Sequence, residues 1–204
     1  MRKISYTALA VALAAALPLT AIAAPTVGQP APTFSGTDMH GKKVSLADLK
    51  GKYVVLEWHN QGCPFVVKHY ESGNMQKLQK ELTGQGAVWL TVISSAPGKQ
   101  GHVSAAEEET YLKAQNASPT NVLFDEDGAI GKLYGAKTTP HMFVIDDKGT
   151  LVYAGAIDDK ASTDQADVMG ATNYVLAAYQ QTKAGKQVET PSTAPYGCSV
   201  KYSN

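Results

Sequence analysis

Short apolar runs recur along the chain and predict buried β-strands. The run at 53–58 is continuously apolar apart from one carboxylate, which is typical of a central strand covered on both faces. Similar runs at 86–94 and 121–124 predict two more buried strands. Two hairpins with glycine-containing turns complete the predicted strands; they join 34–37 to 43–45 and 143–146 to 150–153.

Helical signals lie between these runs. Pro64 favours a helix start, because its φ is preset and it lacks an N–H that the first turn would leave unpaired, and this helix reaches about residue 82 with a kink or break at Gly73-Asn74. Ser104 and Glu107 match a capping box, which predicts a helix over 104–116. The other predicted helices are a short turn at 45–49, a short helix at 128–134 and a final helix at 164–183.

This order of elements predicts an α/β fold with a central mixed β-sheet, helices on both faces and an N-terminal hairpin. The chain has 204 residues, of which 44% are hydrophobic and 18% charged. That length suffices for one well-filled core but not for two ordinary domains. We therefore expect one domain over 24–185, followed by a C-terminal tail over 186–204 that carries Cys198.

The first 23 residues have the pattern of a secretory signal peptide. Arg2 and Lys3 precede an apolar run at 4–22, which ends at the small-residue site Ala21-Ile22-Ala23. An uncleaved membrane anchor is the alternative, but an alanine-rich run before a cleavage-type site favours the signal peptide over 1–23. The sequence thus predicts secretion across the inner membrane, into a bacterial periplasm, with no membrane attachment after cleavage.

The charge balance limits the classes of partner that the protein is expected to bind. The chain has 18 basic and 18 acidic residues, and Arg2 is its only arginine, so removal of the signal leaves a slightly acidic protein. This balance argues against nucleic acid or an anionic membrane as a partner and favours a small molecule or another protein. Both cysteines, Cys63 and Cys198, would reach an oxidising compartment, where two thiols in one domain usually form a disulfide or a redox pair.

Cys63 occupies a position that favours a reactive thiol. It follows the carboxyl end of the predicted central strand, where sites form in open α/β sheets, and it directly precedes Pro64. Unpaired backbone N–H groups and the positive end of the helix dipole stabilise a thiolate there. A structural cysteine, the alternative, would more naturally lie inside a strand or on an apolar helix face.

Two segments carry a family resemblance: Trp58-His59-Asn60-Gln61-Gly62-Cys63-Pro64-Phe65-Val66 and Thr138-Thr139-Pro140-His141. They resemble the thioredoxin-fold redoxins, and most of all the peroxiredoxin-like proteins of the alkyl hydroperoxide reductase and thiol-specific antioxidant group. The resemblance extends over 27–158. It implies a thioredoxin-like fold, a thiol oxidoreductase activity without cofactor or metal, and a cis peptide before Pro140 that lies against the reactive cysteine. The alternative for Pro140 is the start of an edge strand.

The chain also departs from those families. Val66 stands where a dithiol thioredoxin has its second cysteine, which excludes Cys-x-x-Cys exchange. Asn60 stands where peroxiredoxins have threonine, and its amide could hydrogen-bond a thiolate or a bound oxygen. Peroxiredoxins hold the thiolate with an arginine that this chain lacks after Arg2. Lys68, His69 or backbone donors would have to replace it.

Supporting roles are predicted for five further side chains near the motif, each with a structural alternative. His59 and His141 could act as bases or polarise a sulfur, or could be hydrogen-bonded structural histidines. Glu57 could be a buried proton carrier, the role of a buried carboxylate in thioredoxins, or could reach an edge of the sheet. Lys68 and His69 follow Cys63 on the same helix but not on the adjacent turn, so each could instead be a surface or packing residue.

Three functions remain open from the sequence. In the first, Cys63 attacks a small-molecule peroxide or a protein disulfide, Cys198 resolves the product, and an external thiol reductant resets the pair. In the second, both cysteines bind copper with some of the soft donors His59, His69, His141 and Met142, as in exported copper chaperones of this fold, although those use a closely spaced cysteine pair. In the third, a Cys63–Cys198 disulfide only staples the tail of a non-catalytic module.

Overall fold

A computed structural model describes residues 24–203, and the predicted signal peptide at 1–23 lies outside them. The strands are β1 Ser35–Asp38, β2 Lys43–Ser45, β3 Val54–Trp58, β4 Val88–Ile93, β5 Asn121–Phe124, β6 Thr138–Thr139, β7 His141–Ile145, β8 Leu151–Gly155 and β9 Cys198–Ser199. The α-helices are α1 Pro64–Glu71, α2 Asn74–Gly84, α3 Ala105–Gln115, α4 Ala129–Tyr134 and α5 Tyr174–Lys183. Short 3-10 helices span Leu46–Leu49 and Gln165–Gly170.

Seven strands form one mixed sheet in the order β2-β1-β5-β4-β3-β7-β8. The pairs β3–β4 and β4–β5 are parallel, and the other neighbours are antiparallel. β3 lies between β4 and β7, and all five of its residues are buried. Because side chains alternate along a strand, Leu56 and Trp58 face one core, whereas Val55 and Glu57 face the other. The predicted central strand is therefore confirmed.

Helices cover both faces of the sheet. One face packs against α1, α2 and α5 through side chains such as Val66, Leu82 and Val175. The other packs against α4 and the N-terminal hairpin through Tyr134 and Val44, among others. These layers confirm the predicted α/β fold.

Most local predictions are confirmed, and the last helix is the main exception. Gly73 adopts a left-handed φ of 75° and separates α1 from α2, and the capping box at Ser104 is present. The predicted helix over 164–183 is wrong in its first half, because a 3-10 segment ends at Gly170 and α5 begins only at Tyr174. The Asn173 side chain accepts the Leu176 N–H there and caps α5, which stops the helix from extending backwards.

The C-terminal tail is folded onto the domain. Its backbone follows β8, where the Ala154 N–H donates to the Pro191 carbonyl at 3.2 Å. Further on, β9 pairs with β6 in antiparallel fashion and sets Cys198 opposite Thr139. Within 24–203 no helix is long and apolar enough to span a membrane.

Candidate active site

Cys63 caps the N-terminus of α1 and is fully buried. Its N–H donates to the Asn60 carbonyl at 2.9 Å, and its own carbonyl accepts the Val67 N–H at 2.9 Å. These bonds fix the turn that joins β3 to α1. The Cys63 side chain therefore has a defined position at the positive end of the helix.

The Thr139-Pro140 segment lies directly against Cys63. The predicted cis peptide before Pro140 is present. The carbonyl oxygen of Thr139 lies 3.0 Å from Cys63 Sγ and accepts a hydrogen bond from the protonated thiol. The proline motif and the cysteine motif, which are 76 positions apart, thus meet at one atom.

The tail brings Cys198 to the same place. Both cysteines are free thiols, and Cys198 lies opposite Thr139, close enough to Cys63 for each thiol to influence the acidity of the other. Gly197, with a φ of 134°, allows this approach, because a Cβ at this position would overlap the Thr139 carbonyl. Cys198 is partly exposed, whereas Cys63 is covered.

The two thiols differ in acidity. Burial raises the pKa of Cys63 and is the largest single influence, but hydrogen bonds from the Cys198 side chain, from Thr139 and from the backbone N–H groups of Val66 and Cys198 together outweigh it. The net effect lowers the pKa of Cys63. Burial and the adjoining Cys63 sulfur raise the pKa of Cys198 to about 11. Cys63 is therefore the thiol that ionises first and the stronger candidate for the nucleophile.

Asn60 shapes the loop before Cys63. Its Oδ1 accepts the Gly62 N–H at 2.9 Å, and its Nδ2 donates to the Gln100 carbonyl at 3.3 Å. Gln100 in turn donates to the Gly62 carbonyl at 2.9 Å. Both ends of the Asn60 amide thus bind backbone, and the predicted contact between Asn60 and a thiolate or bound oxygen stays a prediction.

Lys68 and His69 are buried and point to the tail. Lys68 Nζ donates to the Lys160 carbonyl at 2.7 Å and lies 5.5 Å from the centroid of the Tyr196 ring. His69 Nε2 lies 3.2 Å from the Tyr196 hydroxyl, and burial lowers the pKa of His69 to about 4, so the ring is neutral. Of the three predicted replacements for an arginine, the backbone donors are the groups that contact Cys63.

Glu57 is fully buried on β3, inside the core on one face of the sheet, and does not reach the edge of the sheet. It accepts hydrogen bonds from the Tyr70 hydroxyl at 2.8 Å, the Trp89 indole at 2.8 Å and the Thr91 hydroxyl at 3.1 Å. Burial, the largest influence, raises the pKa of Glu57, but the nearby His59 and the hydrogen bonds from Trp89 and Tyr70 outweigh it and lower the pKa overall. Glu57 is therefore held as a buried carboxylate.

His59 lies between two buried carboxylates. Its Nδ1 is 3.5 Å from Glu57 Oε1, and its Nε2 is 3.8 Å from Glu108 Oε1. Burial is the largest influence and lowers the pKa of His59, but the two carboxylates overcome it and raise the pKa overall. Sequence reasoning missed Glu108. It is one of three consecutive glutamates, and nothing in the sequence shows which of the three is buried.

His141 is a neutral, packed histidine on the opposite face of β7 from Met142. Its Nδ1 accepts the Lys137 N–H at 3.2 Å, and its ring lies 4.4 Å from the Phe143 ring centroid. Burial lowers the pKa of His141 to about 3. These contacts favour the structural alternative for this residue.

The histidines and cysteines among the predicted copper donors do not form a preformed cluster. Among residues 24–203, no three His, Cys, Asp or Glu side chains are grouped so that they could hold a metal ion. His141 faces away from the Cys63 side, and His69 is engaged by Tyr196. The arrangement therefore gives no support to the copper-binding alternative.

Comparisons with known proteins place the chain among redoxins. The AhpC/TSA family model matches residues 27–154. The chain is 30% identical over 143 residues to the thioredoxin-like protein YneN of Bacillus subtilis (strain 168), covering 69% of this chain and 79% of that protein. It is 30% identical over 129 residues to the thiol-disulfide oxidoreductase ResA of Bacillus thuringiensis subsp. konkukian (strain 97-27), covering 62% of this chain and 67% of that protein. A crystal structure of the hypothetical protein SMc02350 from Sinorhizobium meliloti 1021 matches with a TM-score of 0.72 and 25% identity, covering 89% of this chain and 97% of that one.

Replacement of Cys198 by alanine is expected to raise the pKa of Cys63. The variant loses the side-chain donor to the thiolate, a hydrogen bond to a charged group that contributes about 1.5 kcal/mol or more. Ultraviolet absorbance of the thiolate against pH measures the change, with Cys63 as the remaining thiol. Cys198→Ser keeps a donor and should show a smaller rise. Identical titrations of Cys63 in all three proteins would contradict this description of the site.

Stability is expected to fall as the pH drops below about 6.5. His69 and His141 have folded-state pKa values of about 4 and about 3, both lowered by burial. The unfolded chain therefore binds protons that the folded chain does not, and each histidine costs about 1.4 kcal/mol per pH unit in this window. Urea unfolding between about pH 7 and pH 5 measures the loss.

His141→Asn should lessen this pH dependence. Replacement of the exposed His40 by asparagine is the control and should leave the wild-type slope unchanged. If the unfolding free energy of His141→Asn depended on pH as steeply as that of the wild type, burial of a neutral imidazole at position 141 would not be a cause of the pH dependence.

Proposed function

The chain belongs to the AhpC/TSA family, and we propose that it is a two-cysteine thiol oxidoreductase that reduces a small hydroperoxide through Cys63 and Cys198. A thiol oxidoreductase activity agrees with the names of the relatives, one of which is a thiol-disulfide oxidoreductase. The observation that carries the proposal is the pairing of β9 with β6, which puts the Cys198 thiol against the Cys63 thiol.

In the first step, the Cys63 thiolate attacks an oxygen of the hydroperoxide. A sulfur–oxygen bond forms, the oxygen–oxygen bond breaks, and the departing alkoxide or hydroxide takes up a proton. Cys63 becomes a sulfenic acid, and the peroxide accepts two electrons. The lowered pKa of Cys63 supports its assignment as the attacking sulfur.

In the second step, Cys198 resolves the sulfenic acid. The Cys198 sulfur attacks Cys63 Sγ, a disulfide forms, and the hydroxyl of the sulfenic acid leaves as water with the proton of the Cys198 thiol. The raised pKa of Cys198, about 11, keeps this group protonated until Cys63 has been oxidised. The proximity of the two thiols removes the need for a large rearrangement.

In the third step, an external dithiol resets the pair. Its thiolate attacks the sulfur of Cys198, because this residue is partly exposed while Cys63 is covered. Cys63 leaves as a thiolate, which its lower pKa favours. The second thiol of the reductant then displaces Cys198, so two electrons enter the protein and both cysteines return to thiols.

The burial of Cys63 supports a small oxidant. β9 and the Thr139-Pro140 segment cover its sulfur, which leaves little room for the surface of a protein disulfide. Exchange with a protein disulfide is the second candidate, and the name of the ResA relative favours it. The proposal also retains residues 1–23 as a signal for export to the periplasm, on the charged and apolar pattern of that segment.

Peroxide consumption tests the proposal. Reduced protein with dithiothreitol as the reductant should consume hydrogen peroxide much faster than free cysteine does, and Cys63→Ser should abolish the excess rate. Cys198→Ser should accumulate a sulfenic acid that dimedone traps on Cys63. Ser199→Ala, an exposed neighbour of Cys198, is the control and should behave as the wild type.

A wild-type rate no faster than that of free thiol would overturn the hydroperoxide assignment. If the reduced protein then reacted rapidly with a mixed glutathione disulfide on a test protein, the second candidate would take its place.

A further inference from the structure

We propose that Tyr196 is a positioning residue that holds Cys198 against Cys63 through a latch. The latch consists of Tyr196 on the tail with Lys68 and His69 on α1 and Asp158 after β8. This inference rests on the proposed function, since it assigns the part of the chain that delivers the resolving thiol. Tyr196 precedes Cys198 by two residues, and it meets buried partners that the three steps above do not use.

A directed chain of hydrogen bonds passes through the Tyr196 hydroxyl. The Asn74 amide donates to His69 Nδ1 at 2.8 Å, which leaves the ring proton on Nε2. His69 Nε2 then donates to the Tyr196 hydroxyl at 3.2 Å, and that hydroxyl donates to Asp158 Oδ1. The hydroxyl thus both accepts from a buried neutral imidazole and donates to a buried carboxylate.

The Tyr196 ring is held as well as its hydroxyl. Lys68 Nζ lies 5.5 Å from the ring centroid, and its donation to the Lys160 carbonyl fixes the ammonium group there. The Phe65 ring also packs against the Tyr196 ring, with the two ring centroids 5.8 Å apart. A lysine that is only 1% exposed is uncommon, so its place under the tail indicates a specific docking surface.

The latch fixes the positions of both sulfurs relative to one rigid element, helix α1. Cys63 caps α1, and Lys68 and His69 lie on the same helix less than two turns further on. Gly197 is the only residue between Tyr196 and Cys198, and it packs on the Thr139 carbonyl. A fixed Tyr196 therefore fixes where the Cys198 sulfur lies relative to Cys63.

Alkylation of Cys63 tests the latch without any peroxide chemistry. In a Cys198→Ser background, Cys63 is the single thiol, and it reacts with iodoacetamide only when the tail leaves its covering position. Adding Tyr196→Phe removes one hydroxyl that bonds to a charged group, so the open fraction and the alkylation rate should rise about 10- to 100-fold. Adding Tyr202→Phe instead is the matched control, because this tail hydroxyl bonds to a neutral backbone acceptor, the Ala136 carbonyl at 2.9 Å. It should change the rate by less than about twofold.

A second readout separates positioning from general stability. With Cys198 present, Tyr196→Phe should raise the pKa of Cys63, because the Cys198 donors leave the thiolate. Tyr202→Phe should leave the pKa of Cys63 unchanged whatever its effect on the urea midpoint, because a loss of general stability alone does not move that pKa. Asp158→Asn keeps an acceptor but loses its charge; it should give the same changes in smaller degree and serves if Tyr196→Phe does not fold.

Equal alkylation rates in Tyr196→Phe and Tyr202→Phe, or no change in either, would overturn the latch. The failure of the proposed function is a different result, since it would appear as slow peroxide consumption by the wild-type protein whatever the alkylation rates.

Discussion

The site depends on one constraint, which is that a thiolate can exist inside a protein only if hydrogen bonds replace the water that it loses. Cys63 is fully buried, and burial alone would raise its pKa. The compensating donors come from three separate stretches of chain: the first turn of α1, the Thr139 side chain and the tail at Cys198. The mixed sheet matters for function because it makes these stretches converge.

Most of the frame could be predicted from the sequence, because its signals are local. Pro64 after Cys63, the break at Gly73 and the capping box at Ser104 each depend on residues a few positions apart. The extra length of the last predicted helix has a local cause too, since the cap at Asn173 competes with helical spacing upstream. The spacing of apolar residues, on which the longer helix was predicted, carries no information about that cap.

The contacts of the tail could not be predicted in the same way. A two-residue strand such as β9 has no period to read, and its partner β6 lies about sixty positions earlier. The sequence marked Lys68 and His69 as candidates but gave no sign that Tyr196 would engage them, more than 120 positions away. The donors to the Cys63 thiolate were equally hidden, since backbone N–H groups leave no trace in residue identity. They act on the thiolate in place of the arginine that the resemblance to peroxiredoxins implied, and two of them belong to the docked tail, so the acidity of Cys63 depends in part on the tail.

The most direct test of this account is to locate the bond formed when the reduced wild-type protein meets one equivalent of hydrogen peroxide. Peptide mapping with intact-mass measurement, before and after a reductant, identifies it. The account predicts one intramolecular Cys63–Cys198 disulfide per chain, formed by the oxidant and fully reversed by the reductant. Two thiols that stay free, or a disulfide that is already present in the isolated protein and does not turn over, would contradict it.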